Sequence, residues 1–196
     1  MNKIIDWLLF PRRLYKRTTS KKWIYILACW LVGFIDIVVY NFEELLENYF
    51  FNRPVDILIY NISLTIVLII VIGFLDVICT VWPLCDIYRI LSKDKDIKIV
   101  FSDRARMFQV YAISHILPVI ISLVLLLLLP YQNIILVVLI LTILWSSAII
   151  VRGGDVIFNI KPSLKLIAIV ITFFWSIILS MDGFAFLIET AFRLYK

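Results

Sequence analysis

Apolar positions in this chain fall in long, nearly unbroken runs rather than in the strict alternation of a half-buried strand. Five such runs stand out, over residues 23–40, 57–84, 108–129, 134–151 and 164–187. A helix needs about 20 mostly apolar residues to cross about 30 Å of hydrocarbon, and each run meets that requirement. They are too long for barrel strands. The pattern predicts an all-α fold class, a polytopic membrane protein of five transmembrane helices. It divides the chain into a segment 1–22 and a five-helix transmembrane domain 23–196. The third and fourth runs are joined only by Pro130, Tyr131, Gln132 and Asn133, a link short enough to force an antiparallel helical hairpin.

Composition agrees with the pattern. The chain of 196 residues is 63% hydrophobic and 17% charged. A soluble domain carries about 45–50% apolar and about 25% charged residues. The apolar excess excludes both a water-surrounded domain of this size and a disordered chain.

Charge then sets the orientation. Sixteen of the 19 basic residues lie in three places. The N-terminal segment holds Lys3, Arg12, Arg13, Lys16, Arg17, Lys21 and Lys22. The second-to-third link holds Arg89, Lys93, Lys95, Lys98, Arg104 and Arg106, and the fourth-to-fifth link holds Arg152, Lys161 and Lys165. The opposite side has only Arg53, Arg193 and Lys196. Basic loops face the cytoplasm, so the N-terminus is expected inside and the C-terminus outside or lumenal. The net charge of +5 is thereby a topology signal and does not call for nucleic acid. No cleavable signal peptide is evident, because the first apolar stretch is short, broken by Asp6 and closed by Pro11. The expected location is the cell membrane, multi-pass.

Two juxtamembrane pieces carry the candidate contacts. Ile4, Ile5, Leu8 and Leu9 have helical spacing, which predicts a short amphipathic helix in the headgroup layer. The basic run Arg12 to Lys22 after it would attract anionic lipid. The charged loop 85–107 is the place to look for a protein partner, with Ser102 or Asp103 expected to cap the third helix.

Ionisable groups inside spans are costly and mark places that need an explanation. They are Asp36, Asp76, His115 and Asp182. At about 1.5 Å of rise per residue, Asp76, His115 and the pair Ser146 and Ser147 share one level. With Asp36, which lies deeper, near the middle of its span, Asp76, His115, Ser146 and Ser147 form a candidate intramembrane polar cluster. It reads either as hydrogen-bonded glue between helices or as an ion or proton site. Pro118 lacks an N–H and frees the Ser114 carbonyl one turn earlier, so a kink is expected there. Gly33 and Gly73 would permit close helix approach, and Gly153-Gly154 reads as the stop of the fourth helix. Cys29, Cys79 and Cys85 have no zinc spacing and read as buried or reduced thiols. No nucleotide loop, zinc-protease motif or serine-nucleophile elbow occurs, so neither an enzyme nor a cofactor is expected.

The order of parts resembles a known family. A segment ending Leu9-Phe10-Pro11 leads through basic residues to Trp23, and a charged loop separates the second and third spans. The third span carries Tyr111-Ala112 and Pro118, the fourth Trp145, and Lys161-Pro162-Ser163-Leu164-Lys165 opens the fifth. This is similar to the bacterial branch of the Yip family, the Ypt/Rab-interacting-protein-like membrane domains. The resemblance implies a five-helix bundle, often a homo- or hetero-oligomer, and a non-enzymatic role in membrane organisation or protein interaction. The Asp-Leu-Tyr-Gly-Pro motif with which eukaryotic members are associated has no counterpart before Trp23, so small-GTPase binding is not carried over. The alternative reading is a small transporter or ion-conducting protein using Asp36, Asp76 and His115.

Overall fold

A computed structural model describes residues 6, 8–18, 21–39, 50, 51, 53–93, 98–128 and 132–179. Among these the chain is all-helical, with a single isolated antiparallel bridge between Ser92 and Ile160. A short helix α1 (Arg12–Lys16) precedes α2 (Lys22–Phe34), which runs on as a π-helical turn over Ile35–Val39. The long helices α3 (Val55–Ile90), α4 (Phe101–Leu128) and α5 (Gln132–Phe158) follow, and a 3-10 turn at Pro162–Leu164 leads into α6 (Lys165–Leu179). Two stretches are long and apolar enough to cross a membrane, Val55–Ile90 and Ile140–Phe158; Trp23–Phe34 and Pro162–Ile178 are shorter apolar helices. Residues 180–196, with Asp182, lie outside the described residues.

Helix ends follow local chemistry. Asp103, in the first turn of α4, accepts the Val100 N–H (3.3 Å), the returning half of a capping box. Proline opens the 3-10 turn, where its missing N–H costs no hydrogen bond.

Glycine decides how closely the helices pack. Gly33 of α2 and Gly73 of α3 face each other: a Cβ on Gly33 would lie 2.9 Å from the Gly73 nitrogen, and one on Gly73 would lie 2.8 Å from the Gly33 Cα. The backbones themselves are in contact there. Gly153 and Gly154 differ from the sequence expectation. They do not stop α5, which continues to Phe158. They lie inside the helix, Gly153 against the Val110 side chain and Gly154 against the Tyr88 ring, at 2.5 Å from a hypothetical Cβ. A pair that reads as a terminator by propensity serves here to seat α5 on two neighbours.

The core gathers Tyr15, Val77, Leu84, Tyr88, Tyr111, Ile149 and Phe158. The outside is apolar as well, with Ile59, Val67, Ile70 and Phe74 of α3 each about half exposed or more.

Candidate functional site

Two polar constellations lie on this frame. The first is internal and centres on Tyr111 of α4. Its hydroxyl donates to Asp76 of α3 (2.7 Å) and lies 3.5 Å from Thr80. Asp76 is 2% exposed. The Tyr111 carbonyl accepts from Ser114 (2.7 Å) and from His115 Nδ1 (2.9 Å), which places the imidazole proton on Nδ1. The Tyr111 and His115 rings meet edge to face at 4.4 Å. Ser146 of α5 donates to the Ser114 carbonyl (3.0 Å), the group left without its helical partner by Pro118. Ser147 turns back to Ile143 on its own helix (2.8 Å).

The structure thus brings Asp76, His115 and Ser146 to one region, joined by a residue absent from the sequence-derived set. Tyr111 lies one turn before His115 on the same helix face, which was the available signal. Ser147 is nearby but self-satisfied. Asp36 is placed only by its backbone, in the π-helical turn, and its side chain lies outside the described residues. Pro118 sits within an unbroken α4, and its ring also lies outside them. A second internal link joins α3 to α6. Thr172 donates to the Ala168 carbonyl (2.7 Å), so in the 2.6 Å contact with Tyr88 the tyrosine is the donor.

The second constellation fastens Asp6 and residues 8–18 across one end of the bundle. Asp155 of α5, its side chain 8% exposed, receives Arg12 and Lys165, each at 2.6 Å. Arg152, one turn earlier, donates to the Phe10 carbonyl (2.9 Å) and pairs with Asp6. Trp145 Nε1 donates to the Leu8 carbonyl (2.6 Å), and Tyr15 donates to that of Leu9 (2.8 Å). Arg106 of α4 reaches Thr18 (3.1 Å). Phe10 holds the left-handed conformation (φ 58°), a strain of about 1–2 kcal/mol that these bonds over-determine. Burial raises the Tyr15 phenol well above the usual tyrosine range, partly offset by the Arg152 guanidinium.

The helical spacing of Ile4, Ile5, Leu8 and Leu9 predicts a short amphipathic helix in the headgroup layer, of which Ile4 and Ile5 lie outside the described residues. The described part is docked on protein: the Leu8 and Phe10 carbonyls and Arg12 find partners on α5, and the Thr18 hydroxyl accepts from α4. Arg13, Lys16 and Arg17 remain exposed on the outer side. At the same end, Lys93 N–H donates to the Asn159 carbonyl (3.1 Å) and Lys161 N–H to that of Leu91 (3.0 Å). Arg104 of α4 lies 4.9 Å over the Trp82 ring and 3.9 Å from Asp86. Among the described residues no three His, Cys, Asp or Glu side chains gather as a metal would require.

Compared with family models, curated proteins and solved structures, the chain matches none.

Proposed function

We propose that this chain is a non-enzymatic, multi-pass integral membrane protein that organises membrane or engages a protein partner through its basic end. The observation that carries the reading is convergence. Residues 6–18, 91–93, 98–106 and 155–165, which hold most of the basic residues, are tied together at one end of the bundle. In a cell membrane with five spans, that end is the cytoplasmic one, with the N-terminus inside and the C-terminus outside. The half-exposed apolar face of α3 supports a lipid exterior. Asp76 is buried and engaged by Tyr111, the behaviour of helix–helix glue rather than of a conducting path. The arrangement of parts is that of a Yip-like domain, and a second copy or another membrane protein is the partner class.

Reconstitution into vesicles loaded with a pH-sensitive dye tests this directly. The expected result is no proton flux beyond empty vesicles, together with partners captured by the intact protein and lost when residues 85–107 are replaced. Flux abolished by Asp76→Asn would overturn the reading in favour of transport.

A further inference from the structure

An apolar groove of about 490 Å³ runs along α2 where it meets α3 and α4. Trp23, Ile26 and Trp30 line it from α2, Ile70 and Phe74 from α3, and Phe108 from α4. Its floor is fixed: Tyr25 is buried, edge-on to Phe101 (5.6 Å) and Phe108 (6.0 Å), and Cys29 is buried beside it. The volume is in the range of small-ligand sites, about 300–1,000 Å³. The lining has almost no polar surface, so it selects a hydrocarbon chain and nothing hydrophilic.

The end of the groove nearest Trp23 has a different character. Lys21 caps α2 two residues before Trp23 and is exposed, as is Arg17. Lys98, also exposed, stands three residues before Phe101, whose ring packs on Tyr25. Arg106, drawn to Thr18, adds a fourth basic residue behind them. Of the described acids nearby, Asp103 is occupied with the Val100 N–H and Asp86 lies 3.9 Å from Arg104. Hydrocarbon complementarity along the groove and positive charge at its mouth together match one molecule class.

We propose that this groove binds one acyl chain of an anionic phospholipid, with the headgroup held at the mouth by Arg17, Lys21 and Lys98. The inference rests on the membrane-embedded reading above. It goes beyond a general attraction of basic loops to acidic bilayers, because it assigns a defined site and a stoichiometry.

Trp23 and Trp30 report on the site. The full chain is reconstituted in phosphatidylcholine vesicles containing increasing fractions of phosphatidylglycerol or phosphatidylcholine with brominated chains, and tryptophan quenching is followed. The expected result is half-quenching of the groove component, isolated by difference with Trp23→Phe/Trp30→Phe, at about fivefold lower mole fraction of the anionic lipid. Lys21→Gln/Lys98→Gln removes that preference while leaving quenching by phosphatidylcholine unchanged. Equal quenching by both lipids, or a preference that survives the double substitution, overturns the site. A groove component shielded from both lipids while the remaining tryptophans are quenched also overturns it, since a second copy then covers the groove. No quenching of any tryptophan by either lipid would instead remove the membrane reading itself.

Discussion

Alanine at Gly33 measures how much of the fold hangs on bare backbone contact. The new Cβ would sit 2.9 Å from both the Gly73 nitrogen and the Ile69 carbonyl carbon, with the Ile69 oxygen closer still; ordinary contact begins at 3.4 Å. The obstacles are main-chain atoms of a continuous helix, so no rotamer change relieves them. Because the Ile69 oxygen is the closest obstacle, the helices α2 and α3 must part by about an ångström or more there, which forfeits about half of the dispersion energy of contacts along the seam. Overpacking of this kind costs about 1–3 kcal/mol. Any Cα–H···O contacts across the seam, about 0.5–1 kcal/mol each, are lost with it. Against this, alanine gains about 1 kcal/mol of helix propensity over glycine. The net expectation is a loss of about 1–3 kcal/mol, read by reversible denaturant titration in micelles followed by circular dichroism. Gly153→Ala is the comparator, because the three atoms nearest its Cβ all belong to the Val110 side chain, Cγ1 closest and Cγ2 and Cβ at 2.7 and 3.1 Å. Val110→Ala should therefore rescue Gly153→Ala in a double-mutant cycle, whereas nothing trimmed from a side chain rescues Gly33→Ala. A Gly33→Ala protein as stable as the parent, or the absence of coupling between positions 110 and 153, would refute the packing argument.

Three further outcomes are expected. Tyr111→Phe removes the Asp76 donor from a buried site and should cost about 1–3 kcal/mol in the same titration, whereas Asp76→Asn keeps an acceptor oxygen and should cost less. Asp155→Ala leaves Arg12 and Lys165 facing each other without their shared carboxylate, but both cations can rehydrate, so the loss should be only about 1 kcal/mol. Its clearer signature is faster tryptic cleavage at Arg12, Arg13 and Lys16. Because the folded Tyr15 pKa is raised, its stabilisation is complete below the ordinary tyrosine pKa and is lost as pH rises beyond it. Alkaline titrations of the parent and Tyr15→Phe should therefore differ, with the steeper fall in the parent.

Legibility in the sequence followed the length scale of the signal. Hydropathy marks the helical segments because each is a sum over some twenty side chains, and the long helices lie where the runs do. Asp76, His115 and Ser146 were readable as one level because depth follows from rise per residue. What linked them was not readable, since Tyr111 becomes their partner only through the rotation of α4 against α3, a property of helix pairs. Gly153 and Gly154 misled for the same reason: local propensity favours a terminus, and tertiary contact with Val110 and Tyr88 overrides it. Arg12, Arg152 and Lys165 were counted only as topology markers. Lys165 joins Asp155 from ten positions on, while the acceptors of Arg12 and Arg152 (Asp155, the Phe10 carbonyl and Asp6) lie more than a hundred positions away, beyond any local pattern.

That separation sets a schedule for biosynthesis. Arg12 and Asp155 are 143 residues apart, Arg152 and the Phe10 carbonyl 142, and Trp145 and the Leu8 carbonyl 137. At about 5–20 residues per second of synthesis, residues 8–12 spend roughly seven to thirty seconds without the surface that will hold them. A segment made early is thus among the last to be locked, and its closure over the end of the bundle becomes a signal that α5 has arrived. A chain truncated before Asp155 would leave Arg12 without that carboxylate, distinguishable from one that includes α5 by the accessibility of residues 8–12.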